Sequence, residues 1–251
     1  MKRFITIASV FAIMATPAIA QTRRAPARPA PKAAPAAPKP APAPSAPPRL
    51  YDFKGVALET SLEDFRRMPH PDGTSAKTVC TGEKVGNDRY DQEPVDVMIF
   101  DSIEKSLGVV KCVWVTTNSQ YMNGLTAGLK LAATNYASNE YSFSFIKDPK
   151  DGVMRLYEFE GRSNVAVFED VVEALTGKWG KPVTVAGTVQ NKMGASFDQS
   201  TSVWSNPLSS ITAQSRFSKI DDMAIIMTDT RLLKVVSDAR AAKKAATPNA
   251  I

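Results

Sequence analysis

Histidine is almost absent from this chain of 251 residues: His70 stands alone, and Cys80 and Cys112 are its two cysteines. That scarcity excludes a zinc site built from several His or Cys ligands. It also leaves a single position for the base of any Ser-His or Cys-His catalytic set. Walker, GxGxxG and HExxH patterns are missing, so no cofactor is expected. Acidic residues are missing altogether before Asp52. After residue 20 no run is long and apolar enough for a membrane-spanning helix, which takes about 20 residues, so the mature chain is read without one.

What is present divides the chain into segments. Residues 1–20 (MKRFITIASVFAIMATPAIA) place Lys2 and Arg3 before an apolar run from Phe4 to Ala15. Pro17 follows, and Ala18 and Ala20 supply small residues at positions −3 and −1 of a cleavage site. This order describes a secretory signal peptide cut after Ala20. The expected location is the bacterial periplasm, or secretion beyond it. Residues 21–49 hold ten of the chain's 18 prolines, mostly alternating with alanine. Such a stretch builds no core and is read as a disordered, extended spacer. At ~3.1 Å per residue it reaches roughly 90 Å. Arg23, Arg24, Arg28, Lys32, Lys39 and Arg49 punctuate it, and they could touch an anionic envelope polymer.

The net charge of +6 changes meaning once it is split by segment. The signal carries +2 and the spacer +6, which leaves residues 50–251 with 23 basic against 25 acidic residues. Setting aside the basic tail 239–251 leaves 20 against 25. The expected globular part, 50–238, is therefore mildly acidic and is not read as a nucleic-acid surface, which needs a basic patch on the fold.

Periodicity in this part alternates between helix and strand. Leu50–Leu58 is a short strand or extended lead-in. Ser61 caps a helix with Asp64 at the capping-box position and Leu62, Phe65 and Met68 on its apolar face; Pro69 and Pro71 end it. Val95–Phe100 and Gly108–Thr116 read as strands, the second apolar on both faces. Residues 121–137 place Leu125, Leu129, Ala133 and Tyr136 at helical spacing. Tyr141–Ile146 and Val153–Gly161 form a hairpin around the turn Asp148–Gly152. Phe168, Val171, Val172, Leu175 and Trp179 make one helical stripe, capped by Ser163 or Asn164 and stopped by Gly180 and Pro182. Strands follow at Val183–Val189, Ser202–Ser205, Ser209–Phe217 and Met223–Thr228, then a helix over 230–246. The fold class is α+β, with helices on an antiparallel sheet. A helix, a proline turn and strands occur twice, which suggests two tandem related halves, 50–147 and 148–238.

Phe53-Lys54-Gly55-Val56-Ala57-Leu58-Glu59-Thr60-Ser61-Leu62-Glu63-Asp64-Phe65 resembles the F-x-G-x-x-L-G-x-S-x-x-x-F opening of small exported proteobacterial proteins. Ala174-Leu175-Thr176-Gly177-Lys178-Trp179-Gly180-Lys181-Pro182, with Trp204 beyond it, resembles their A-L-x-x-K-Y-G-x-P … W element. Glu59 stands where that pattern has glycine. Some of these proteins are related in fold to the small lipoprotein of the outer-membrane β-barrel assembly machine and to β-lactamase-inhibitor proteins. The resemblance implies helices stacked on an antiparallel sheet and action by binding other proteins.

Few residues suggest chemistry. Cys80 and Cys112, an even pair in an exported chain, are read as one disulfide tying the loop after the first helix to the sheet. His70-Pro71-Asp72 reads as a turn. Ser102-Ile103-Glu104-Lys105 and Ser144-Phe145-Ile146-Lys147 both fit S-x-x-K, without its companion motifs. Glu158 and Glu160 share a strand face, and Asp88, Asp91, Glu93 and Asp96 cluster in a loop. The leading expectation is a non-enzymatic module that binds another envelope protein. The alternative is a small envelope hydrolase using an acidic pair from Glu158, Glu160 and the Asp88–Asp96 loop.

Overall fold

The computed structural model describes residues 47–83, 102–116 and 126–246. The lead-in is a small hairpin, β1 (Asp52–Phe53) with β2 (Val56–Ala57). Lys54 and Gly55 between them both have positive φ, 51° and 89°, as a two-residue turn matching strand twist requires. Helix α1 (Leu62–Arg67) starts where the Ser61 hydroxyl accepts from the Asp64 N–H at 3.0 Å. It stops at Met68, ahead of Pro69.

The chain then forms β3 (Ala76–Cys80), α2 (Ser102–Ser106), β4 (Val110–Thr116), β5 (Tyr141–Lys147) and β6 (Met154–Asn164). The Asn164 side chain caps a 3-10 turn, Val165–Val167, which runs into α3 (Phe168–Trp179). Strands β7 (Val183–Gln190), β8 (Ser196–Ser205), β9 (Ser209–Ser215) and β10 (Asp222–Asp229) follow, then α4 (Thr230–Ala246).

Strands β3 to β10 make one antiparallel sheet in the order β3-β4-β5-β6-β10-β9-β8-β7. Two runs of four consecutive strands thus meet where β6 pairs with β10. The boundary expected at 147/148 falls in the turn between β5 and β6, inside the first run. Helix α3 carries the chain from the middle of the sheet at β6 to its far edge at β7.

Adjacent strand residues point to opposite faces, so Phe145 and Ile146 mark two cores. On the Phe145 face, the Phe65 ring of α1 lies 5.0 Å from Trp114, 4.8 Å from Phe143 and 5.2 Å from Phe145. Phe53 stacks on Phe159 at 4.3 Å. Phe168, Val171 and Leu175 of α3 are buried in the same cluster with Trp204, Ile211 and Met223. On the Ile146 face, α2 and α4 contribute Ile103, Leu232 and Val236 to a smaller cluster with Val109 and Tyr157.

Three expectations need correction or restriction. The helix expected over 121–137 is not formed at residues 126–137. There Leu129 exchanges backbone bonds with Ser138, and Ala127 donates to the Trp114 carbonyl. Ala127, Leu129 and Leu131 are buried while Thr126, Gly128 and Lys130 are not, a period of two. Cys80 lies not in a loop but in β3, directly opposite Cys112. The strand expected at Val95–Phe100 lies outside the described residues.

Candidate functional site

The far edge of the sheet is built by a helix stop. Gly180 takes φ 85° and ψ −173°, and its N–H bonds to the Thr176 carbonyl. Only glycine adopts this backbone freely. The Trp204 indole N–H donates to the Gly180 carbonyl at 2.7 Å, which pins the turn to β8. Pro182 then releases the chain into β7.

Strand β7 reads VTVAGTVQ and pairs with β8 along its whole length. On its other side it has no strand neighbour among the described residues. All of its residues except Val189 are exposed, with Val183 at 72% and Val185 at 63%. Beyond it, the Asn191 side chain accepts from the Met193 and Ala195 N–H groups to close a turn, leaving Met193 93% exposed. Lys181 precedes the strand and Lys192 follows it.

Val183, Val185 and Val189 lie on one face. From Val183 that face continues across the sheet through Val203, Thr212, Ile226, Glu160 and Ser142. Each residue after Val183 is half-buried. The far part of this face is mixed in polarity and partly open to solvent.

The expected acidic pair lies on the same face, nearer α2 and α4. Glu160 accepts from the Arg162 guanidinium at 2.6 Å. Glu158 stands in a cross-strand row with Lys111, Ser144 and Thr228. Burial, with the neighbouring Glu160 charge second, pushes the Glu158 carboxyl up to about 7. Beside it Glu104 pairs with Lys111 at 3.2 Å and accepts from the Tyr157 hydroxyl at 3.2 Å. The Ser144 hydroxyl is buried with no hydrogen-bond partner among the described residues. A polar cleft lies elsewhere, between residues 136–140, Ser163–Asn164 and the Lys219–Asp222 turn, and neither Glu158 nor Glu160 lines it. The Asp88–Asp96 loop is outside the described residues.

Cys80 and Cys112 form the expected disulfide. Of the basic spacer residues only Arg49 is described. Its guanidinium lies 4.6 Å above the Trp179 ring, and its carbonyl accepts from the Asn206 amide at 2.9 Å. Ala18, Ala20, Arg23, Arg24, Arg28, Lys32 and Lys39 lie outside the described residues. His70 is buried edge-on to Trp114, and its carbonyl accepts from Gly73 in the expected turn. Asp72 pairs with Lys54 and accepts from the Lys130 N–H at 2.8 Å. Among the described residues no helix is long and apolar enough to cross a membrane.

The sequence reading identifies Val183–Val189 as a strand but not as an open edge. The available signal is a run of uncharged residues bracketed by two lysines just after a helix stop. Compared with protein-family models, curated proteins and solved structures, the chain matches none of them.

Proposed function

We propose that the protein is an exported, non-enzymatic binding module that takes up an extended segment of an envelope protein as an added strand along β7. The observation that carries this reading is β7 itself: eight uncharged residues, seven of them exposed, paired on one side only among the described residues. A free sheet edge offers a row of unpaired N–H and C=O groups, and an incoming strand completes them. The opposite edge, β3, is five residues long and carries Lys77. The resemblance of 53–65 and 174–182 to exported proteins whose relatives bind other proteins agrees with the reading. In the periplasm, residues 21–49 would then act as a tether, and the two runs of four strands as a duplicated unit.

The hydrolase reading has a carboxyl raised to about 7 at Glu158. Among the described residues it has no second free carboxylate beside it, because Glu160 is tied to Arg162; the Asp88–Asp96 loop lies outside those residues.

The test uses proline. Successive strand residues direct their N–H groups alternately to β8 and to the open edge. Val185→Pro and Ala186→Pro therefore separate the two roles: one variant loses a ladder bond to β8, and the other loses only an edge donor. The probe is a Val/Thr-alternating peptide N-methylated at every second residue, so that it presents one pairing edge. The expected result is hydrogen-exchange protection of β7 by the peptide in the wild type. The proline variant that keeps its circular dichroism should lose that protection. Protection elsewhere, with β7 unchanged, would refute the reading.

A further inference from the structure

Resting on that reading, we infer that the strand received by β7 has an uncharged core flanked by acidic residues at both ends, and that it does not come from a second copy of this chain. Lys181 and Lys192 bracket the edge, and both are exposed. Neither has an ion pair or side-chain hydrogen bond among the described residues, whereas Lys178 nearby is already tied to Asp52. Lys181 lies just before β7 and Lys192 in the turn just after it, and the strand between them, Val183–Gln190, spans about 23 Å at ~3.3 Å per residue. Between them lie ten residues without a charge. A strand laid along β7 therefore meets apolar and hydroxyl side chains through its middle and one ammonium group at each end. Carboxylates at those ends complement both.

The same charges disfavour a second copy. Antiparallel pairing of β7 with itself, valines on a shared face and Ala186 at the centre, sets Val183 opposite Val189 of the other copy. It also brings each Lys181 toward the turn that holds the other copy's Lys192. Two like-charge contacts then oppose the pairing, as edge lysines commonly do. An acid-flanked strand meets attraction at the same two points.

The experiment compares three N-methylated Val/Thr peptides with identical cores, flanked by Glu, Gln or Lys. Binding to the chain from Gln21 onward is followed by fluorescence anisotropy at low and high salt. At low salt the Glu-flanked peptide should bind about 2- to 30-fold more tightly than the Gln-flanked one, the range for two exposed ion pairs. The Lys-flanked peptide should bind weakest, and salt should compress the series. The double variant Lys181→Glu/Lys192→Glu should invert the order with an unchanged Tm. Equal affinities for the three peptides would overturn the acidic-flank inference while leaving the β7 edge reading intact. Failure of every peptide to protect β7 would overturn both. A concentration-dependent dimer on gel filtration, with β7 protected without peptide, would assign the edge to a second copy instead.

Discussion

Glu59 occupies left-handed backbone at φ 64°, the conformation glycine takes most freely. A glycine at this position would meet no such strain. In this chain the non-glycine residue gains a partner instead: Arg231 donates to the Glu59 carboxylate at 2.6 Å and to both Asp148 oxygens at 2.8 Å. The Arg231 hydrogen bond is the main reason the Asp148 carboxyl is held at about 2. Its contribution is present above the ordinary carboxylate range and is lost as pH falls toward 2. Glu158 has the opposite sign. Its folded-state value near 7 lies above that of an unfolded glutamate, so the native state binds this proton more tightly. Stability from this residue is full below pH ~4 and is lost as pH rises toward 7. The charged groups around it, Glu160, Lys111, Glu104 and Arg240, act on Glu158 through space, and it has no direct partner among the described residues. Glu158→Gln should therefore raise Tm at pH 8 and leave it nearly unchanged at pH 4. Thermal unfolding at the two pH values checks this, and an equal shift at both would show that packing rather than charge decides.

At the scale of the element, the Cys80–Cys112 bond closes a loop spanning a sequence separation of 32 residues and joins two directly paired strands. Chain-entropy arithmetic assigns such a loop about 3–4 kcal/mol. The double variant Cys80→Ala/Cys112→Ala should lower the urea unfolding free energy by about that amount, with an altered slope if the unfolded ensemble expands. An unchanged midpoint would mean that the β3–β4 ladder alone fixes these strands. Helices α1 and α3 are legible because their caps and stripes are local: Ser61 with Asp64, then Phe168 to Leu175 ahead of Gly180. Strand β9 is legible because one face alternates cleanly into the core, and β10 because it is a short apolar run buried at consecutive residues. Residues 126–137 mislead because Leu129 and Ala133 fit a helical period by chance. The alternation through Ala127, Leu129 and Leu131 is what the neighbouring strand selects. Strand β3 and the first half of β8 are hard to read for the opposite reason. Ala76–Cys80 is short, and Ser196–Thr201 lies where β7 and β8 run out into solvent and no core enforces a hydrophobic pattern.

At the scale of the whole molecule, the site depends on strand order, which no local pattern encodes. That β7 is a strand can be read from its valines. That it is an edge follows only from α3 crossing the sheet and from β10 returning to pair with β6. The same topology grades stability across the sheet. Strands β5, β6 and β10 have neighbours on both sides and are packed by Phe143, Phe159 and Ile225 on one face. Tyr157 lies under α2 and α4 on the other. Among the described residues strand β7 has one neighbour and no cover. Local opening costs least where few apolar contacts must be broken, so exchange protection should follow burial. Native-state hydrogen exchange should find the slowest amides in β5, β6 and β10. In β7 the amides should split into two sets, protected toward β8 and rapidly exchanging toward the open side, alternating residue by residue. Uniform slow exchange along β7 would mean that something in the full chain already covers the edge. The added-strand reading would then have to give way to an internal partner. Alternating exchange would leave a row of free donors some eight residues long, flanked by lysines, as the surface a ligand meets first.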